Sequence, residues 1–354
     1  MNCLTWISKV MYQILNTLYI MTPNAYAHLE NDTVRIDVER QKKLQVPLHH
    51  LGTLVCFGNI MISPALMHRC ADDGIGLVLL DGNGRFKARL EGAVSGNILL
   101  RQAQHSKASE ELFALALVKA VIAGKLRNSR QVLLRGARET NDEQDQKMLS
   151  TAADALAVSI RNLAVAGNLD VVRGIEGDAA KVYFSALPGL VRRNVREHFA
   201  MDGRTRRPPR DRFNALLSFL YSMVMNDCRS AIESVGLDPQ LGFLHSVRPG
   251  RAALALDLME EFRAVLADRL ALTLVNRGQI TERSLQIREG GAVYLQDDAR
   301  KIVVTAYQER KQEEITHPLL DTKVPFGLLP QLQARFMART IRGDMDAYIP
   351  FLVK

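Results

Sequence analysis

The hydrophobic pattern of this 354-residue chain changes period near residue 100. Before that point, short apolar runs alternate with polar turns, which is typical of β-strands. Beyond it, apolar residues recur every three or four positions, as in amphipathic helices. The expected strands are residues 17–20, 34–38, 44–46, 54–57, 77–80 and 86–90. The expected helices are residues 111–130, 149–165, 178–187, 212–234, 252–275 and 330–342. The sequence therefore predicts an α+β protein, with a small β-rich N-terminal domain followed by a larger all-α C-terminal domain.

Two local signals refine the β-rich part. Ser63 is followed by Pro64, a pair that suits the N-cap and the first position of a short helix. Residues 81–84 read Asp-Gly-Asn-Gly, whose members tolerate positive φ and favour a hairpin turn before the strand at 86–90.

The length of the chain also favours two domains, because one hydrophobic core rarely extends over so many residues. We place the boundary at residue 100, which gives an N-terminal domain of residues 1–100 and a C-terminal domain of residues 101–354. Met11 is a second candidate start, which would make residues 1–10 a non-native extension. No uninterrupted apolar run reaches the length of about 18 residues that indicates a membrane span. The four cysteines form no C-x-x-C pair, which favours a reducing cytoplasm over a disulfide scaffold or zinc site.

The charge balance is basic, with 46 Lys and Arg against 38 Asp and Glu and a formal net charge of +8. Such an excess favours a polyanionic partner. Between residues 192 and 212 eight arginines face only three carboxylates, and the guanidinium group binds phosphate through two parallel hydrogen bonds. A solvated charged surface is the alternative interpretation. The candidate DNA-binding residues are Arg192, Arg193, Arg196, Arg206, Arg207 and Arg210, together with Arg248 and Arg251 beside the motif described next.

A histidine, a basic loop and an acidic helix follow one another at residues 245–261. Asp257 and Glu260 are three residues apart and so share a helix face, which Glu261 nearly does. Oxygen ligands with one imidazole, here that of His245, suit Mg²⁺ or Mn²⁺. The alternative is a solvated acidic turn held by the helix macrodipole, preceded by a packed or capping histidine. Helical spacing alone does not rank the three acids.

Glu176 lies between Gly174 and Gly177, at the expected start of the helix at 178–187. It is a candidate for a third carboxylate ligand, because helical domains build metal sites from side chains on different helices. The alternative is a capping role, for which Asp178 is the better N-cap. A phosphate-binding P-loop, a dinucleotide glycine fingerprint and a nucleophile elbow are all missing from the sequence.

Four sequence blocks resemble the CRISPR-associated integrase that inserts new spacers, the first of the Cas families, and most closely its subtype I-C branch. The blocks are LNTLY at 15–19, RGIEG at 173–177, NALLSFLY at 214–221, and GFLH at 242–245 followed by LDLMEEFR at 256–263. The resemblance covers essentially the whole chain after Met11.

The resemblance implies a catalytic metal, Mg²⁺ or Mn²⁺, in the helical domain. Its ligands and catalytic residues fall on Glu176, His245 and Glu260, and Asp257 matches a second acid of the same helix as a further candidate ligand. Glu261 has no firm counterpart.

The function implied by the resemblance is that of a metal-dependent DNA endonuclease and integrase. Such a protein inserts captured DNA fragments into a CRISPR array by phosphodiester transesterification, as part of antiviral defence. The implied partners are double-stranded or branched DNA, a second copy in a homodimer, and a small protein of the second Cas family that bridges two dimers. The residues leave two other classes open, namely a non-enzymatic DNA-binding scaffold and a metal-dependent RNA nuclease.

Overall fold

The computed structural model describes residues 11–14, 17–81, 86–90, 92 and 98–353. The chain divides into two units, Met1–Ser95 with Gln296–Gln312 and Gly96–Leu295 with Glu313–Lys354. We call them the N-terminal unit and the helical unit. This arrangement places residues 296–312 with the N-terminal unit, whereas the boundary predicted at residue 100 places them with the helical domain.

Two sheets and two helices make up most of the N-terminal unit. Its strands are β1 (Met11–Ile14), β2 (Thr17–Ile20), β3 (Tyr26–Glu30), β4 (Thr33–Val38), β5 (Gln41–Pro47), β6 (Thr53–Phe57), β7 (Met61–Ile62), β8 (Gly76–Leu80) and β9 (Phe86–Leu90). One sheet has the order β1-β2-β6-β8-β9 and the other the order β5-β4-β3-β7. In the larger sheet, β2, β6 and β8 run parallel, with an antiparallel strand at each edge.

The apolar core of this unit is shared by both sheets and by helix α1 (Pro64–Asp72). It joins Leu18 of β2, Val34 of β4 and Leu66 of α1, all of them buried. Ser63 caps α1 as predicted, because its Oγ accepts a hydrogen bond of 3.2 Å from the backbone N–H of Leu66. The predicted hairpin turn at 81–84 lies largely outside the described residues.

Helices dominate the helical unit, which confirms the predicted α+β class. They are α2 (Ile98–Ser109), α3 (Glu111–Glu139), α4 (Glu143–Val165), α5 (Leu169–Ala186), α6 (Arg193–Arg196), α7 (Arg212–Ser234), α8 (Ala253–Met259) and α9 (Arg269–Asn276). Helix α10 (Asp297–Gln312) belongs to the N-terminal unit and α11 (Leu329–Arg342) to the helical unit. Among the described helices, none is long and apolar enough to cross a membrane.

The helical unit also holds two short hairpins that the sequence analysis missed. They are β10 (Leu285–Ile287) with β11 (Val293–Leu295), and β12 (Glu314–His317) with β13 (Thr322–Pro325). Strands of three or four residues are too short to show a clear alternating pattern. The unit is therefore mostly helical rather than all-α.

Two predicted helices differ from the structure in ways that bear on function. Helix α5 begins nine residues earlier than predicted, with Asn168 as its N-cap, so Glu176 lies inside the helix rather than at its start. Glycine costs about 1 kcal/mol in a helix interior, and packing against neighbouring helices overrides that cost here. The predicted helix at 252–275 is interrupted by a turn at residues 260–262 and by a π-helical segment, Arg263–Asp268. Such π-helical turns are rare overall, and those that occur often lie at functional sites.

Candidate metal centre

Asp257, on helix α8, fixes the loop that carries His245. Its Oδ2 accepts hydrogen bonds from the backbone N–H groups of Phe243 and Leu244, at 2.7 and 3.0 Å. Its Oδ1 accepts from the backbone N–H of His245 at 3.0 Å and from the Nδ1–H of the same residue at 2.6 Å. Because a carboxylate only accepts, this contact places a proton on Nδ1, so Nε2 is the ring nitrogen that a neutral imidazole could offer to a metal ion.

Gly242 allows this close approach of loop and helix. A Cβ atom at position 242 would lie 2.8 Å from Oδ2 of Asp257 and 2.8 Å from the backbone carbon and the Cβ of Ala253. Any larger residue would therefore push the His245 loop away from α8.

Glu260, in the turn after α8, lies beside the imidazole of His245 in a buried and charged setting. Its side chain is 3% exposed, and its Oε1 lies 3.8 Å from His245 Nε2 and 3.0 Å from Arg263 Nη2. Burial works to raise the pKa of Glu260, but the charges of Arg263, Lys125 and His245 outweigh it and lower that pKa to about 2. The carboxylate is therefore ionised at neutral pH.

Glu176 reaches the same place from helix α5 through a shared cation. The ammonium group of Lys125, on α3, forms an ion pair with Oε1 of Glu176 and lies 2.7 Å from Oε2 of Glu260. Arg173, one turn before Glu176, donates hydrogen bonds of 3.2 and 3.1 Å to the carbonyl oxygen of Leu244. Helix α5 is thus joined both to the His245 loop and to Glu260.

In the part of the chain that the structure describes, no three His, Cys, Asp or Glu side chains stand close enough to one another to hold a metal ion. Glu176 and Glu260 are separated by the Lys125 ammonium. The donor set nevertheless fits a divalent cation, because two carboxylates converge on one positive charge and Nε2 of His245 lies 3.8 Å from the second of them. Oxygen donors with one imidazole are the ligands that Mg²⁺ or Mn²⁺ takes.

Glu261 faces away from this cluster, into a second buried network. Its carboxyl group accepts hydrogen bonds from the Tyr348 hydroxyl at 2.5 Å, the Phe351 backbone N–H at 2.7 Å and the Gln333 amide at 3.0 Å. Burial, only partly offset by these bonds, raises the pKa of Glu261 to about 8. Asn128 of α3 donates to the carbonyl oxygens of Glu261 and Phe351, both at 2.9 Å. The turn at residues 260–262 thus directs Glu260 toward His245, and it directs Glu261 toward the C-terminal segment, which Glu261 binds.

Lys125 is a residue that sequence reasoning missed, although a signal was present. It occupies the buried stripe of α3 together with Val118, Val121 and Ile122, at helical spacing, and is only 9% exposed. A lysine in an apolar stripe is rarely buried without a partner, so its position indicated a buried acid elsewhere in the fold.

The predicted DNA-binding arginines fall into two groups. Arg193 and Arg196 are held by ion pairs with Asp142 and Asp145, and Arg196 does so through two hydrogen bonds of 3.0 and 2.6 Å. The others are exposed or, for Arg251, partly exposed: Arg192, Arg206, Arg207, Arg210, Arg248 and Arg251.

A cleft in the helical unit brings part of this set together with further arginines. The cavity of about 660 Å³ lies between the end of α3, the start of α4, the loop before α6 and helix α9. Its six arginines outnumber its three acids, Glu139, Asp142 and Asp145. The arginines are Arg135, Arg192, Arg193, Arg196, Arg269 and Arg277. Three of them, Arg135, Arg269 and Arg277, were not recognised from the sequence.

The fold is that of several solved structures. A Cas1 protein from Thermotoga maritima aligns with 96% of this chain and 100% of its own, with a TM-score of 0.79 and 21% identity. A casposase bound to integration product aligns with 94% of this chain and 92% of its own, with a TM-score of 0.78 and 19% identity. A chain of a Cas6-RT-Cas1–Cas2 complex aligns with 97% of this chain and 37% of its own length, with a TM-score of 0.81 and 22% identity.

Sequence comparison gives the family. The family model described as CRISPR associated protein Cas1 matches residues 18–309. A CRISPR-associated endonuclease Cas1 of Moorella thermoacetica is 55% identical over 344 residues, covering 97% of this chain and 100% of the relative. One from Chlorobaculum tepidum is 46% identical over 342 residues, covering 97% and 99%. The chain belongs to the Cas1 family of CRISPR-associated proteins.

Proposed function

We propose that this protein is a divalent-metal-dependent DNA endonuclease and integrase that inserts captured DNA fragments into a CRISPR array as new spacers. The observation that carries the proposal is the convergence of Glu176, on α5, and Glu260, in the turn after α8, on one cation beside His245. Relatives named as endonucleases and the fold shared with a casposase bound to integration product support the same class.

The residues Glu176, His245, Glu260 and Asp257 have two kinds of role in the proposed function. Glu176, His245 and Glu260 would hold Mg²⁺ or Mn²⁺, whose chemistry when bound is to polarise a phosphodiester and stabilise the charge that develops on its oxygens. Asp257 orients His245 rather than serving as a ligand, since its two oxygens already accept four hydrogen bonds. A neighbouring carboxylate that fixes the imidazole in this way is common at metal sites.

The reaction balances as a transesterification. The 3′-hydroxyl oxygen of the captured fragment attacks a phosphorus atom of the repeat, one P–O bond forms, and the bond to the leaving 3′-oxygen breaks. With water in place of the hydroxyl, the same site cleaves DNA. Arg192, Arg277 and the exposed arginines between residues 206 and 210 would hold the backbone of double-stranded or branched DNA, because arginine contacts to phosphate fix position without reading sequence.

The assembly we propose is a homodimer, with a small protein of the second Cas family bridging two dimers. One of the matched structures is a Cas6-RT-Cas1–Cas2 complex, which supports the second partner. We further propose that the chain belongs to the subtype I-C branch, on the sequence blocks quoted above, and that it works in the cytoplasm.

Strand transfer on branched DNA, measured with Mn²⁺ or Mg²⁺ and with a chelator, tests the proposal. We expect product only with metal, and its loss in Glu176→Gln and in His245→Ala. Asp178→Asn, an exposed acid on the same helix as Glu176, is the matched control and should retain activity. Full activity in chelator or in Glu176→Gln would overturn the metal mechanism. Metal-independent DNA binding without any product would favour the scaffold, and cleavage confined to a 2′-hydroxyl substrate would favour an RNA nuclease.

A further inference from the structure

Lys125 stands between the two acids that the proposed function assigns to the metal. Its ammonium group pairs with Glu176 on one side and lies 2.7 Å from Oε2 of Glu260 on the other. The lysine is 9% exposed, so water screens these contacts poorly. An ammonium in this position provides the charge that keeps together an acid of α5 and an acid of the turn after α8.

A second cation fixes one side of the cluster independently of Lys125. Arg263 lies 3.0 Å from Glu260 Oε1, and its guanidinium carbon lies 5.2 Å from the ring centre of Tyr221. This aromatic contact and the π-helical turn that carries Arg263 hold it in place. Lys125, by contrast, ends a flexible four-carbon side chain whose rotamers can change without moving a helix.

Charge balance decides what happens when a divalent cation enters. Glu176 and Glu260 already have Lys125 and Arg263 as counter-ions, so the charges of these four side chains cancel before a divalent cation enters; Asp257, bonded to His245, is a further carboxylate nearby. Repulsion between like charges a few ångströms apart is large where water is excluded. A cation bound to both carboxylates would also take the position that the Lys125 ammonium now holds, so it would have to displace that ammonium.

We propose that Lys125 is an internal counter-ion that a divalent cation must displace, so that it holds Glu176 and Glu260 together without metal and weakens metal binding. The inference rests on the proposed function, because it takes these acids as metal ligands. Lys125 is thus a residue that sets metal affinity, and it changes partners when the metal binds.

Calorimetric titration of the full chain with Mn²⁺, without DNA, tests the proposal. The variants are Lys125→Met, which keeps the length of the side chain and removes its charge, and Lys119→Met as the control on the same helix. Among the described residues, Lys119 donates a hydrogen bond of 3.0 Å to the carbonyl oxygen of Ala164. We expect Lys125→Met to bind Mn²⁺ about tenfold more tightly than wild type and to melt at a lower temperature in chelator. We expect Lys119→Met to match wild type.

The outcomes separate this inference from the proposed function. Equal Mn²⁺ affinity in wild type and Lys125→Met would overturn the counter-ion role and leave the metal site standing. Weaker binding in Lys125→Met would also overturn it, because Lys125 would then support the metal. Absence of Mn²⁺ binding in both proteins would overturn the metal site itself and the inference with it.

A measurement on the wild-type protein covers the case in which Lys125→Met does not fold. Lysines are acylated with a small amine-reactive reagent in chelator and with Mn²⁺, and labelling is read at each site by mass spectrometry. We expect labelling of Lys125 to rise on adding Mn²⁺, because its ammonium leaves the two carboxylates. Lys119 and the exposed Lys181 serve as internal references that stay constant. Labelling of Lys125 that does not change with Mn²⁺ would contradict the displacement.

Discussion

His245 and Asp257 are joined by a 2.6 Å hydrogen bond between the imidazole Nδ1 and the carboxylate Oδ1. The same carboxylate also accepts three backbone N–H groups from residues 243–245. One buried acid on a helix therefore fixes the path of the loop, the orientation of the imidazole and the position of its proton. The other ring nitrogen, Nε2, lies 3.8 Å from Oε1 of Glu260.

Replacing Asp257 by Asn tests the orienting role. The amide keeps the size of the side chain but turns one acceptor oxygen into a donor that faces N–H groups. We expect Mn²⁺ affinity and strand-transfer rate to fall by about 10- to 100-fold, as is typical when a residue that orients a ligand is changed. Calorimetry and a strand-transfer assay measure the two effects, with the exposed Asp170→Asn as control. Unchanged values for both in Asp257→Asn would show that Asp257 does not orient the imidazole.

Gly242→Ala should destabilise the protein. The added Cβ would lie 2.8 Å from both the Asp257 carboxylate and Ala253, and forcing atoms into such a packed space typically costs about 1–3 kcal/mol. Urea denaturation measures the free energy of unfolding. Gly167→Ala is the matched control, because a Cβ there meets nothing within 4 Å. Equal stability of the two variants would contradict the close packing of loop and helix.

Tyr348→Phe should also destabilise the fold, through the second acid of the turn. The change removes the 2.5 Å hydrogen bond to Glu261 and the 2.9 Å hydrogen bond that the hydroxyl accepts from Gln333, and it leaves a buried carboxyl group with one donor fewer. The expected cost is about 1–3 kcal/mol in the free energy of unfolding, measured by urea denaturation. Tyr26→Phe at the surface of the N-terminal unit is the control. A cost no greater than that of the control would show that this bond contributes nothing to anchoring the C-terminal segment.

Asp268 should make the stability depend on pH. Burial raises its pKa from 3.8 to about 6, although the Tyr221 and Tyr183 hydroxyl groups donate hydrogen bonds to it and act in the opposite direction. The folded state thus holds the proton more tightly than the unfolded state. The contribution of Asp268 to the free energy of unfolding is greatest below 3.8, the pKa of this carboxyl group in the unfolded chain. It falls as pH rises from there toward about 6, by up to about 1.4 kcal/mol per pH unit. Urea denaturation of wild type and Asp268→Asn over this range should show a flatter dependence in the variant, and parallel curves would contradict the raised pKa.

The cleft of about 660 Å³ that six arginines line in the helical unit should contribute to DNA affinity in a salt-dependent way. Arg192→Gln and Arg277→Gln, both at exposed positions of the cleft, should each weaken binding at low salt. Each should also reduce the slope of affinity against salt by about one counter-ion. Fluorescence anisotropy with labelled duplex and single-stranded DNA in chelator measures the effect without cleavage. Arg69→Gln, in the N-terminal unit and paired with Asp32 and Asp73, is the control, and an equal response of all three variants would exclude the cleft as a DNA contact.

The sequence predicted the elements whose signals are local. Helix α7 begins and ends at the predicted residues 212 and 234, because Asp211 caps it and the apolar period is regular. Helix α1 begins at Pro64 for the same kind of reason. Glu176 was placed at a helix start, since two glycines suggest a break and only the packing of α5 shows that the helix continues through them.

The candidate site depended on contacts that no local pattern contains. Glu176, His245 and Glu260 were grouped by the family resemblance, because helical spacing could not distinguish Glu260 from Asp257 and Glu261. In the structure these three acids point in different directions. Asp257 faces the His245 loop, Glu260 faces Lys125, and Glu261 faces the C-terminal segment. The break in the helix after Met259 makes this possible, and it follows from tertiary packing rather than from spacing.

A crystal structure of the protein with Mn²⁺, using the anomalous scattering of the metal, tests the central claim most directly. The account predicts one strong anomalous peak in contact with Glu176, His245 and Glu260, with the Lys125 ammonium moved away from the two carboxylates. A peak at some other place, or no peak at saturating Mn²⁺ with Lys125 still between Glu176 and Glu260, would contradict it.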